Sequence, residues 1–108
     1  MPGSTLGRGN ILAQFLIGPT LTPVSVAAST AAEQNFTIRG LQLNDSIQIN
    51  STVIQTAGLG IANARVSAAD TLTVLFSNST AGALVPVAGI YLLDVNRPEN
   101  LPLPTNAI

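Results

Sequence analysis

No cysteine, histidine, lysine or tryptophan occurs in the 108 residues of this chain, and each absence removes a class of chemistry. Without cysteine there are no disulfides, no thiolate metal sites and no thiol redox steps. That lack says little about compartment, because a chain of this length buries a core without the bridges that small secreted domains need. Without histidine, Ser-His-Asp triads, Cys-His pairs and histidine-bound zinc are excluded, and without lysine so is Schiff-base catalysis. Charge is scarce too: Arg8, Arg39, Arg65 and Arg97 stand against Glu33, Asp45, Asp70, Asp94 and Glu99, 8% of the chain where an ordinary soluble domain has about 25%. Four scattered arginines make no phosphate-binding patch, so DNA and RNA are not expected partners.

Apolar residues make up 46% of the chain, and the mean hydropathy is +0.45. A lone domain of this composition would show water a weakly charged, apolar surface, so a partner is expected to cover part of it. A membrane is not the expected partner, because Gly18, Pro19 and Pro23 break the uncharged stretch 9–32 before any run becomes long enough for a spanning helix, and protein partners are the better candidates. The segment Ile11-Leu12-Ala13-Gln14-Phe15-Leu16-Ile17 is apolar on every side except Gln14. Arg8 before it and Val26-Ala27-Ala28 after it outline a signal peptide, but the prolines interrupt the apolar core of one. The expected reading is an N-terminal strand or arm that buries both faces, partly in a neighbouring chain.

The strongest strand signal is Thr71 to Ser77, with Leu72, Val74 and Phe76 on one face and Thr73, Leu75 and Ser77 on the other. It is expected to be a central strand. The corner before it, Ala68-Ala69-Asp70, suits an Asx-type turn, and Arg65 and Asp70 are expected to clamp that corner as an ion pair or by hydrogen bonds. Further short strands are expected over Thr20–Ala28, Phe36–Arg39, Leu41–Leu43, Ser46–Asn50, a stretch beginning at Val53-Ile54, Ile61–Val66 and Ile90–Val95. Ser29–Glu33 is expected as a polar connector with a helical turn. Phe36, Ile38, Ile47, Ile49, Leu72, Val74, Phe76, Tyr91, Leu93 and Val95 are the expected core, as the apolar members of alternating runs. Short strands at this spacing, with no amphipathic helix, indicate an all-β sandwich or barrel.

Few groups remain for chemistry. Asp45, Asp70 and Asp94 fall at turns and strand ends, where aspartates ordinarily serve the backbone, and no Asp-X-Asp-X-Asp cluster offers a calcium site. Gly58-Leu59-Gly60 is too short to cradle a phosphate and reads as a bend. No catalysis, metal, cofactor or small-molecule substrate is expected. Asn35, Asn44, Asn50 and Asn78 each begin an Asn-X-Ser/Thr acceptor sequence, which matters only in a glycosylating pathway.

One pattern runs from residue 33 to 97: Phe36-Thr37-Ile38-Arg39-Gly40-Leu41, Asn44-Asp45-Ser46-Ile47, Ala57-Gly58-Leu59, Ala64 through Leu72, Phe76-Ser77-Asn78-Ser79-Thr80 and Gly89-Ile90-Tyr91-Leu92. It resembles small structural proteins of tailed bacteriophages, in particular head decoration or cement proteins, and its most specific element is Ala-Arg-Val-Ser-Ala-Ala-Asp-Thr-Leu. The resemblance implies a jelly-roll-like β-sandwich, often a homotrimer, bound to the major capsid protein on the capsid exterior of the virion. It leaves another virion β-module, in a tail, baseplate or fibre, as the alternative. A carbohydrate-binding β-sandwich is the other one, although the chain has only Phe15, Phe36, Phe76 and Tyr91 for an aromatic platform.

The domain plan expected from all of this is an N-terminal arm over 1–19, a β-sandwich over 20–97 and a Pro-rich C-terminal arm over 98–108. The arms are expected to bind neighbours through Ile11, Phe15, Leu16 and Ile17 at one end and Leu101 and Leu103 at the other. On that plan, deleting residues 1–18 leaves the domain folded.

Overall fold

A computed structural model of the chain describes residues 11–98. The strands are β1 (Ile11–Ile17), β2 (Thr20–Leu21), β3 (Thr30–Thr37), β4 (Ser46–Ser51), β5 (Leu59–Ala68), β6 (Thr71–Asn78) and β7 (Gly89–Pro98). They form two antiparallel sheets, and no helix occurs among the described residues.

In the first sheet β7 is central. β4 pairs along one edge, from Ser46↔Asn96 to Ser51↔Tyr91. β1 and β2 share the other edge in a single register, Ile17↔Leu93 continuing to Thr20↔Ile90. Gly18-Pro19 interrupts that edge because proline has no N–H to give the ladder, yet the Pro19 carbonyl still accepts from Tyr91 N at 3.0 Å. In the second sheet β6 is central, between β3 and β5. The expectation for Thr71–Ser77 therefore holds.

The core lies between the sheets. Leu72, Val74 and Phe76 of β6 and Tyr91, Leu93 and Val95 of β7 are fully buried, and Leu21, Val26, Ile38, Leu41 and Val66 complete it. Phe36, Ile47 and Ile49 are partly buried against this cluster. Period-two alternation in the two central strands is what puts these side chains on one side.

Several expectations are corrected. Ser29–Glu33 is no helical connector: Thr30–Thr37 is a strand paired residue for residue with Asn78–Thr71, because tertiary pairing overrides the modest helix preference of Ala-Ala-Glu-Gln. Leu41–Leu43 is not a strand, since the Asp45 carboxylate accepts from Gln42 N at 2.9 Å and holds the segment as a turn. Val53-Ile54 starts no strand, and Ile54 is 93% exposed. Of Thr20–Ala28 only Thr20–Leu21 joins the ladder, with Val26 bridging Leu84.

The N-terminal arm is corrected as well. Ile11–Ile17 pairs with β7 and turns Phe15 and Ile17 onto the core, so this part of 1–19 belongs to the sandwich. The β-sandwich is what holds of the jelly-roll expectation: the described residues form a four-stranded and a three-stranded sheet, seven strands in all against the eight of a jelly roll. The expected C-terminal arm, with Leu101 and Leu103, lies outside the described residues apart from Pro98, which ends β7.

Candidate interaction surface

Several of the polar side chains among the described residues hold loops. Asp45 follows a turn that ends in a positive φ at Asn44, and its side chain is 1% exposed. Arg97 Nε and Nη2 donate to its two oxygens at 2.9 and 2.8 Å. Nη2 also donates to the Gly40 carbonyl at 2.8 Å, and the guanidinium lies over the Phe15 ring, 5.4 Å from its centroid. Gly40, at φ 96°, is held from its other side by Asp70, whose Oδ1 accepts from Gly40 N at 2.8 Å.

The expected Arg65–Asp70 clamp is therefore corrected. Asp70, at φ 60° in the β5–β6 turn, presents its carboxylate to Gly40, while Arg65 points outward from β5 and grips Glu33 of β3. That grip is bidentate, 3.0 Å to each oxygen, on the outer face of the second sheet. A bulge between Val66 and Ala68 adds a residue between the two positions. Sequence proximity misleads because strand alternation, not spacing, sets which face a side chain leaves from.

The Arg97 guanidinium holds the Asp45 carboxyl below its usual range, against the opposing effect of burial. A carboxylate depressed in the folded state stabilises above its unfolded pKa and loses that contribution as pH falls toward the folded value. Asp45→Asn should thus cost about 2 kcal/mol at neutral pH. The gap between the variant and the parent protein should close as pH falls below about 4, which denaturant titration at several pH values measures. Arg65 lowers Glu33 in the same direction, but that exposed pair is screened by salt.

Tyr91 and Asn78 tie down the opposite end. The buried Tyr91 hydroxyl donates to the Val87 carbonyl at 2.6 Å and accepts from Gln55 Nε2 at 3.1 Å. The Asn78 amide donates to the Val26 and Gly82 carbonyls, and its oxygen accepts from Thr80 N. Asn78 is buried and so cannot act as a glycosylation acceptor in the folded chain. Its spacing from Thr80 and Gly82 marks a cap, a reading the acceptor motif hid.

Among the described residues, no buried side-chain polar atom is left without a partner, and no three acidic side chains gather as metal ligands. A cleft of about 300 Å³ between β4 and β5 is lined by Ile47–Asn50 and Ile61–Ala64, with no ionisable side chain. Such a lining has no group to move a proton.

What the surface does offer is apolar. The outer face of the first sheet exposes Leu12 and Leu16 of β1 and Ile90 and Leu92 of β7, and a Cβ on Gly18 would touch both Ile90 and Leu92. Asp94 is the only charged residue on the outward-facing positions of β1, β4 and β7 that precede Arg97. Of the expected contact residues, Leu16 is 65% exposed here, Ile11 is partly exposed, and Phe15 and Ile17 serve the chain's own core. Leu12, Ile90 and Leu92 were missed, although the inward set Tyr91, Leu93 and Val95 already implied that Ile90 and Leu92 point out. No protein family, curated protein or solved structure matches this chain.

Proposed function

We propose that this protein is a structural component of a tailed-bacteriophage particle, a decoration protein that binds the outside of the major capsid shell and ties neighbouring subunits together. The observation that carries the reading is the outer face of the first sheet, where Leu12, Leu16, Ile90 and Leu92 meet water with a single charge nearby. The second sheet supports the contrast, because its outer face is covered by the Glu33–Arg65 pair and the Thr73–Asn35–Ser67 hydrogen bonds and suits solvent. An apolar face beside a polar one fits a protein that lies on a larger protein surface. The choice of a phage head as that surface rests on the resemblance centred on Ala64–Leu72. Those residues form the β5–β6 hairpin, where they act in packing and in the turn.

A sugar-binding reading has little to stand on. Phe76 and Tyr91 are buried, and Phe15 and Phe36 pack against the core, which leaves no aromatic platform among the described residues.

Many weak contacts to an assembled shell stabilise it by mass action. Particles carrying the protein should rupture at a higher temperature than stripped particles, and adding back the protein should restore the difference. Because the contact face is apolar, rebinding should change little with salt. Equal rupture temperatures, or density for this chain in the tail alone, would reject the decoration reading in favour of another virion β-module.

A further inference from the structure

We infer that strand β1 is a self-pairing edge: two copies of this protein join antiparallel along Ile11–Ile17 about a two-fold axis through Gln14. Comparing the strand edges leads there. The outer edge of β3 carries Glu33, and its Gln34 side chain is committed to both backbone groups of Val24, at 2.9 and 2.8 Å. The edges of β4 and β5 face each other across the cleft, and β5 carries Arg65 and bulges at Ala62 and Ser67. Charge, bulges and covered edges are how sheets avoid pairing with other chains. β1 has no charge and no proline over its seven residues, and among the described residues nothing pairs with its outer edge. Its one irregularity lies between Ile11 and Ala13.

The choice of a second copy as occupant comes from the order of residues in β1. Ile-Leu-Ala-Gln-Phe-Leu-Ile reads nearly the same in both directions about Gln14. Antiparallel pairing centred there sets Gln14 against Gln14 of the second copy, Leu12 against Leu16, and Ile11 against Ile17. Ala13 faces Phe15, small against large, on the core side. Leu12, Gln14 and Leu16 are all on the exposed face, so the dimer would bring four leucines together around an amide pair that can hydrogen-bond across the axis. A two-fold contact must be self-complementary in this way. The sheet β4–β7–β1 of one copy then runs on into β1–β7–β4 of the other. The irregularity at Leu12 limits the regular ladder to its centre. An interface of one strand pair lies below about 1,200 Å² and gives a reversible dimer.

This contact is independent of the decoration reading, since it is tested on the isolated protein, and it differs from the three-fold arrangement the resemblance implies. Sedimentation of the full chain over the micromolar to millimolar range should show a monomer–dimer equilibrium. Gln14→Lys and Gln14→Glu should each weaken it severalfold by setting like charges on the axis, and an equal mixture of the two should restore it. Opposed residues across an antiparallel pair have Cα atoms about 4.5–5.5 Å apart, within disulfide range. The chain has no cysteine, so Gln14→Cys should oxidise to a covalent dimer while Gln48→Cys, on the outer face of β4, does not. A monomer throughout, a trimer, undiminished association of the Gln14→Lys protein, or equal crosslinking at Gln48 would overturn the inference.

Discussion

Phe76→Ala is expected to remove about 3–5 kcal/mol of stability, a large share of the roughly 5–15 kcal/mol that a domain of this kind possesses. Phe76 is fully buried in the middle of β6, which is itself the middle strand of its sheet, with Ala32 and Ile61 as its cross-strand neighbours. Its ring fills space that flanking strands cannot close over, because their positions are set by backbone ladders on both sides. The loss is therefore the transfer energy of the ring together with the cavity left behind. Urea titration followed by far-UV circular dichroism should show the midpoint fall with little change in slope, since the surface exposed on unfolding is nearly the same. A cost under about 1 kcal/mol would mean that the packing of the two sheets at Phe76 is wrong.

Deletion of residues 1–18 is expected to abolish folding. On the sequence alone this segment is a detachable arm, and its loss would weaken only attachment. In the structure the deletion takes away β1, which pairs with the outer half of β7 from Leu93 to Pro98. It removes Phe15 and Ile17, partly buried against the core and each contributing less than the roughly 1.5–3 kcal/mol of a fully buried side chain, and it uncovers the fully buried Leu93 and Val95. It also takes the Phe15 ring from under the Arg97 guanidinium, loosening the side chain that holds Asp45 and Gly40. Together these losses are comparable with the whole stability of the domain. The truncated protein should show a disordered far-UV spectrum and no cooperative thermal transition. A cooperative transition near that of the full chain would return residues 11–18 to the role of an arm.

The outcome at β1 also shows how a strand shared between two readings is resolved. Seven residues that are apolar on both faces fit an arm buried in a neighbour as well as they fit a sheet edge that is half buried and half exposed. Only the register with β7 separates them, by directing Phe15 and Ile17 inward and Leu12 and Leu16 outward. The same uncertainty hid the apolar surface, because Leu12 and Phe15 look alike until one face is assigned.

The amino-acid sequence by itself determined the all-β class, the central place of Thr71–Ser77 and the buried faces of β6 and β7, because period-two alternation in Leu72-Val74-Phe76 and Tyr91-Leu93-Val95 is a local property of an extended backbone; that β7 is central to its sheet came only from the pairing. It determined also which catalytic groups are missing, since that is composition alone. Tertiary structure decided the rest. Glu33 and Arg65 are 32 residues apart and meet at 3.0 Å, and Asp45 and Arg97 are 52 apart and meet at 2.8 Å. Such partners depend on which strands become neighbours, and local spacing carries no record of that. Thr30–Thr37 is a strand because β6 supplies its partners, and Asp70 turns to Gly40 because loop 38–45 folds over the hairpin to reach it. Contacts between segments distant in sequence become available only once the sheets have assembled, and they set both the corner at Asp70 and the face the protein presents.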